Sequence, residues 1–250
     1  MGCRDLDLPR YLSTLPLFEG LGQPAWARLA DACRLQRLTR HDMVFRAGDP
    51  CPALPVVMTG QVKLYAASSA GQEKVIELVG PGTCVEQAPL FTGTAHLVHA
   101  RALTDTLLIM VAKEAVVEEI GSDPRFALRM LGSVSQRLDG LLQHVQADTL
   151  HSGPRRVVDF LLRQRRHADR DAAAATVSLQ ASKATIASLL SVTPEYLSRV
   201  LRSLEAEALI RMDRRDIRIL DAPGLSAWPA PAGARGPGRR AATSAGVHLC

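Results

Sequence analysis

No stretch of this chain approaches the roughly 18 consecutive apolar residues that a membrane-spanning helix needs. Its strongest apolar run, Leu107 to Ala112, has the length of a β-strand. The start, Met1 to Asp7, carries Asp5 and Asp7 and no apolar centre, so it does not read as a secretory signal. Cysteine is sparse and scattered: Cys3, Cys33, Cys51, Cys84 and Cys250. An odd, dispersed set excludes a secreted disulfide framework. Without a Cys-x-x-Cys pair, a zinc site or a thiolate-held iron–sulfur cluster is disfavoured. A glycine-rich phosphate loop, a nucleophile elbow and a metal-ligand triad are also missing, so an enzyme has no support. These absences predict a soluble, reduced, cytoplasmic protein with no membrane partner.

What is present has globular proportions. Of 250 residues, 47% are hydrophobic and 22% charged, which allows one large domain or two of ordinary size. The net charge of +5 is unevenly placed. Residues 1–154 carry 14 basic and 16 acidic side chains, whereas residues 155–222 carry 13 and 9. The tail from Pro223 adds Arg235, Arg239 and Arg240. A basic C-terminal third suits a polyanionic partner, because phosphate neutralisation supplies much of the affinity for nucleic acid.

Local patterns divide the chain further. Pro24 opens a short helix, with Trp26, Leu29, Ala30 and Cys33 at helical spacing. From Arg34 to Val111, short apolar runs alternate with turn signals such as Gly48-Asp49-Pro50 and Gly80-Pro81-Gly82. Val56–Met58, Val62–Tyr65, Val75–Val79 and Leu107–Val111 read as strands, predicting a β-roll, barrel or sandwich. Asp123-Pro124 starts a helix reaching about Leu150. Along it, Ala127, Leu131, Val134, Leu138, Leu141 and Val145 alternate steps of four and three, as in a two-stranded coiled-coil seam. A helix packed on its own domain is the other reading; the length and the narrow stripe favour a homodimer. Gly153-Pro154 then breaks the chain before a helix carrying Val157, Val158, Phe160, Leu161 and Leu162. Ala172–Ala175 reads as a loop or helix fray. Ser182–Val192 and Pro194–Ala208 read as two short helices, followed by strands Leu209–Met212 and Asp216–Leu220. Helix, tight turn, helix and hairpin make a winged helix-turn-helix. The segment after Pro223 is Ala-, Gly-, Pro- and Arg-rich and is expected to be disordered.

The order of parts resembles the Crp–Fnr superfamily of bacterial transcription regulators, over roughly residues 14–222. The landmarks are Leu17-Phe18-Glu19-Gly20-Leu21, Phe45-Arg46-Ala47-Gly48-Asp49, Thr59 to Tyr65, Gly71 to Ile76 and Gly80-Pro81-Gly82. The resulting expectation is an α+β chain. It has an arm (1–16), a cyclic-nucleotide-binding-like β-roll (17–123), a dimerisation helix (124–150), a winged helix-turn-helix (151–222) and a tail (223–250). Within the superfamily, Gln72-Glu73-Lys74-Val75 before Glu77, and Thr193 to Arg199, are most similar to the Dnr-type regulators of dissimilative nitrate respiration. That resemblance implies a DNA-binding activator that works with RNA polymerase, carries haem b, responds to nitric oxide and controls denitrification genes.

Glu195, Ser198 and Arg199 stand at i, i+3 and i+4, on one face of the second helix. There they would meet base edges in the major groove of double-stranded DNA. Arg can donate twice to guanine, Glu can accept from cytosine, and Ser suits either base type. The resemblance implies a palindromic site of the TTGAT kind. Lys183, Thr185, Arg202, Arg211 and Arg214 are candidates for phosphate contacts, with plain surface charge as the alternative for each.

The sensor is read from what replaces the family's cyclic-nucleotide clamp. Glu86 stands at the usual glutamate, Val85 at the preceding glycine, and His96-Leu97 at the Arg-Ser pair. An imidazole does not replace a bidentate guanidinium on a phosphate, although Arg101 lies nearby. His96, His99 and Cys84, with Glu86 beside them, are therefore the candidates for a haem or other effector site; Cys51-Pro52 is a weaker one. Another small ligand in the roll, a redox-sensing Cys84, and a cyclic-nucleotide-type regulatory subunit of an enzyme are the competing readings.

Overall fold

The computed structural model describes residues 8–167, 176–178, 180–214 and 216–228. By internal packing the chain forms two units, residues 1–147 with 179–189, and residues 148–178 with 190–250.

The first unit opens with α1 (Leu8–Ser13), a 3-10 turn (Pro16–Phe18) and α2 (Gln23–Asp31). Strands β1 (Cys33–Leu38), β2 (Met43–Phe45), β3 (Ala53–Thr59), β4 (Val62–Ala67) and β5 (Glu73–Val79) follow. Then come α3 (Ala88–Thr92), β6 (His99–Ala102), β7 (Thr106–Ala112), α4 (Lys113–Ser122) and α5 (Pro124–Leu150), whose last residues pass into the second unit. The strands form two antiparallel sheets, ordered β1-β7-β3 and β2-β6-β4-β5.

Alternation along each strand builds two apolar layers. Val57 and Leu108 of one sheet meet Phe45, Val62, Leu64, Val79 and Ala100 of the other. The opposite face of the first sheet, with Leu54, Val56, Ile109 and Val111, packs on Leu12, Phe18, Leu29, Val116, Phe126 and Met130 from the helices. Residues 8–16 are therefore not a detached arm, since Leu12 and Leu15 are buried in this second layer. Between β3 and β4 the chain reverses at Gly60, φ +87°, where a Cβ would fall 2.5 Å from the Asp105 carbonyl oxygen. Only glycine fits that turn.

α5 starts as its sequence predicts, with the Arg125 N–H donating to Asp123 Oδ1 at 2.9 Å. Among the described residues, no helix is long and apolar enough to cross a membrane.

The second unit contains α6 (Gly153–His167), β8 (Thr176–Ser178), α8 (Pro194–Ala206), β9 (Ile210–Asp213), β10 (Asp216–Ile219) and α9 (Ala222–Ala227). Helix α7 (Lys183–Leu189) is packed with the first unit. β8, β10 and β9 form an antiparallel sheet, so the wing has three strands where the sequence suggests a hairpin. The predicted disorder from Pro223 is also corrected. Asp221 caps α9 by accepting the Gly224 N–H at 2.9 Å, Pro223 sits in its first turn, and Leu225 and Trp228 are buried. Arg155 of α6 donates to the Ser226 carbonyl at 2.7 Å, closing this end. The segment reads as tail because its anchors are two single side chains in an Ala/Gly/Pro background. The loop expected at Ala172–Ala175 and the tail beyond Trp228 lie outside the described residues.

Candidate nucleic-acid interface and sensor roll

Thr193 caps α8, its hydroxyl accepting the Tyr196 N–H at 3.2 Å, and Pro194 occupies the first turn. One side of the helix is core: Tyr196, Leu197, Val200, Leu201 and Leu204 are buried. The other side presents Glu195 and Arg199 exposed and Ser198 half-buried. The three predicted base-reading residues therefore share one open face in the first two turns. The Arg199 guanidinium lies over the Tyr196 ring, 5.4 Å from its centroid, which orients it without using up its donors. Tyr196 in turn rests on Gly153, where a Cβ would come within 2.7 Å of the ring. That glycine is read in the sequence as a helix breaker, but it also makes room for the base of the reading helix.

Arg202 is exposed on α8, and Arg211 and Arg214 are exposed on the wing. Lys183 is exposed in the first turn of α7, and Thr185 is half-exposed beside it. The Thr185 N–H donates to Ser182 Oγ at 3.1 Å, so Ser182 caps this helix.

On α5, Leu128, Leu131, Leu138, Leu142 and Val145 are each more than half exposed. Leu131, Leu138 and Val145 belong to the predicted seam. Ala127, Val134 and Leu141 are half-buried, and Leu128 and Leu142 broaden the stripe.

In the roll, His96 is 4% exposed, its ring stacked on Phe45 with centroids 3.6 Å apart. His96 Nδ1 lies 2.6 Å from Glu86 Oε2. With the carboxylate accepting, Nδ1 is the donor of this pair. His99 lies apart from this pair. Its Nδ1 accepts the Ala47 N–H at 3.2 Å, and its ring stacks on Tyr65 at 5.1 Å. Arg101 is also turned elsewhere, pairing with Glu73 at 3.1 Å and lying over Tyr65. Leu97, which the family resemblance sets at the clamp hydroxyl, is 79% exposed.

Cys84 is not accessible, contrary to the redox reading. It is buried, and burial pushes its thiol pKa up to about 12. Cys51 is buried as well, and desolvation raises its pKa too.

The sequence reading misses Arg137. It reaches from α5 to Glu77 Oε2 at 2.6 Å and donates to the Cys84 carbonyl at 3.2 Å. Burial nevertheless keeps the Glu77 carboxyl above its ordinary pKa, more than Arg137 lowers it. Gln87 adds a second tie, donating to Ser133 Oγ at 2.8 Å.

Comparison with known proteins finds two family domains. Residues 35–123 match the cyclic nucleotide-binding domain, and residues 155–228 match the Crp-like helix-turn-helix domain. The second match ends at Trp228, the last described residue after α9. The chain belongs to the Crp–Fnr family.

This Crp–Fnr chain is 26% identical to the probable transcriptional regulator flp of Lacticaseibacillus casei, over 86% of its length and 97% of the relative's. It is 26% identical to the cyclic AMP receptor protein of Thermus thermophilus, over 83% of its length and 93% of the relative's. The structure of FixK2 from Bradyrhizobium japonicum superposes with a TM-score of 0.72 at 22% identity, covering 80% of this chain and 99% of that one. As a Crp–Fnr regulator, the chain is a DNA-binding transcription regulator and not an enzyme.

The haem implied by the Dnr-type resemblance does not fit the candidate ligands as they stand. Cys84 is a buried neutral thiol. His99 already uses the Nδ1 lone pair on a backbone N–H, which places its hydrogen on Nε2. His96 has a carboxylate behind it, but its ring is sealed under Phe45.

Proposed function

We propose that this chain is a cytoplasmic homodimeric activator that reads a two-fold symmetric, TTGAT-like DNA site with Glu195, Ser198 and Arg199. The observation that carries the reading is the open face of α8, which presents these three side chains in its first two turns above a buried apolar face. A homodimer is supported by the apolar stripe on α5, which a second copy would cover. Two reading heads could then meet successive major-groove faces about 34 Å apart.

The decisive experiment is selection of binding sites from random DNA by the purified protein. Recovery of a TTGAT-like inverted repeat is expected. Arg199→Ala should lose about 1–3 kcal/mol of discrimination at one base pair, while salt-sensitive non-specific binding remains. Unchanged discrimination would overturn the assignment.

The roll is the regulatory input. His96 engaged with Glu86, and Leu97 turned outward, leave no phosphate clamp of the usual kind. Calorimetry with cyclic AMP is therefore expected to register no binding at micromolar concentrations. Nitric oxide sensing through haem b, with denitrification genes as targets and RNA polymerase as the partner, would require the roll to open between Phe45 and His96. Haemin titration decides it, since a Soret band abolished by His96→Ala would support that extension, and no band would end it.

A further inference from the structure

The sheet ordered β2-β6-β4-β5 has two edges. At β5 the edge is covered by α7 of the same unit. The Val75 N–H donates to Ser188 Oγ at 2.9 Å, and the Lys74 ammonium donates to the Ser188 carbonyl at 2.7 Å. β2 is the other edge, and it is irregular. Residues two apart on a regular strand point the same way. Here the register shifts between Met43 and Phe45, as at a β-bulge. Phe45 and Val44 both pack on the apolar layer between the sheets, which leaves Met43 on the other face.

That face is polar. Lys63 and Tyr65 of β4 alternate with the core residues Val62 and Leu64, and His99 and Arg101 of β6 flank the core residue Ala100. Met43 stands directly opposite Arg101 in the register. Two donors converge on its sulfur, Arg101 Nε at 3.3 Å and the Tyr65 hydroxyl at 3.8 Å. The same guanidinium reaches on to Glu73 of β5 at 3.1 Å. Burial pushes the Tyr65 phenol above its ordinary pKa, so it keeps its hydrogen. Met43 is half-buried, within reach of a small solute.

A thioether is a weak acceptor, and apolar packing is its usual use. Two donors aimed at one sulfur therefore gain little from it as it stands. They would gain more from an oxygen placed on that sulfur, since a sulfoxide is polar. Met110 and Met212 are half-buried too, but among the described residues no donor meets their sulfurs. Met130 is buried, with one amide, that of Gln87, at 3.9 Å.

We propose that Met43 is an oxidation site for a small peroxide, its sulfoxide held by Arg101 and Tyr65. A sulfur lone pair attacks one peroxide oxygen, and the S–O bond forms as the O–O bond breaks. The departing hydroxide takes the proton of the attacked oxygen, which leaves a sulfoxide and one water. The sulfur gives up two electrons and the peroxide accepts them. Arg101 stabilises the negative charge that develops on the departing oxygen. The sulfoxide oxygen then accepts from the same two donors, tying β2 to β6 and β4. Oxidation here marks the roll without breaking its packing, and it does not depend on what the reading helix binds.

The probe is hydrogen peroxide on the full chain, with oxygen uptake mapped by peptide mass spectrometry. Met43 is expected to be oxidised about 10-fold faster than Met110 and Met212, the rate ratio of one hydrogen bond to a developing charge. A rate no greater than theirs would overturn the site. Tyr65→Phe keeps the ring, removes one donor and should slow Met43 about 5-fold. An unchanged or faster rate overturns the site as well.

A second measurement needs only the wild-type protein. Chain taken when Met43 alone carries oxygen should keep the urea midpoint of untreated protein. Sulfoxides ordinarily disrupt packing, so a lowered midpoint would mark plain damage and overturn the holding role of Arg101 and Tyr65.

Discussion

Glu73 and Cys84 show how the roll sets the chemistry of single side chains. Burial alone would raise the Glu73 carboxyl, but hydrogen bonding to Lys63, and the charges of Lys63 and Arg101, hold it below the ordinary value. A carboxyl depressed in the folded state contributes stability that is present above its unfolded pKa and lost as pH falls through the folded one. Denaturant melts of the wild type should therefore lose midpoint as pH drops below about 4.5, and Glu73→Gln should flatten that acid limb. Cys84 makes the opposite case. With burial pushing its pKa up to about 12, it should resist iodoacetamide at pH 8 in the folded protein and react once urea unfolds the chain. Rapid labelling of Cys84 in the native state would show that the roll opens there. Little of this is legible in the sequence. Glu86 and His96 are ten residues apart and Lys74 and Ser188 are 114 apart, so no local period joins either pair. Glu195, Ser198 and Arg199 are legible because their geometry lies within one helix, whose spacing the sequence displays directly.

Among the elements, the easily read ones are those whose burial is regular. β3, β5, β7, α5 and α8 carry apolar residues at their own period and start or stop at Gly, Pro or Asp. β1 escapes notice because Arg34, Gln36 and Arg37 interrupt Cys33–Leu38, and that strand is defined by its pairing with β7. β6 is hidden in the same way, since His99 and Arg101 alternate with small Ala100 and Ala102. α9 is the instructive miss. It stands on Leu225, Trp228, the Asp221 cap and Arg155, none of which forms a pattern. Its contribution is measurable. Trp228→Ala should cost about 3 kcal/mol of stability in chemical denaturation, the low end for an aromatic removed from a core. A change below about 0.5 kcal/mol would mean that α9 is an ornament on the module.

At the scale of the whole molecule, charge and the apolar stripe act together. The double variant Leu131→Asp, Leu138→Asp places carboxylates in the exposed stripe of α5. Sedimentation should then report monomers, and affinity for an inverted repeat should fall by about 100-fold or more, because the second half-site is no longer tethered to the first. A dimer that survives both charges would place the interface elsewhere. Deleting residues 229–250 removes Arg235, Arg239 and Arg240. The salt dependence of binding should become shallower, by at most about 0.9 in log–log slope for each lost phosphate contact, with base preference intact. The cover that α7 gives to the β5 edge, through Ser188 and Lys74, has a consequence for shelf life. A covered strand edge cannot template pairing with another chain. A chain that loses this cover bares residues 73–75 and becomes the sticky form. Lys74→Ala should therefore scatter light at lower concentration than wild type during storage, which ties colloidal safety to one lysine at the end of α7.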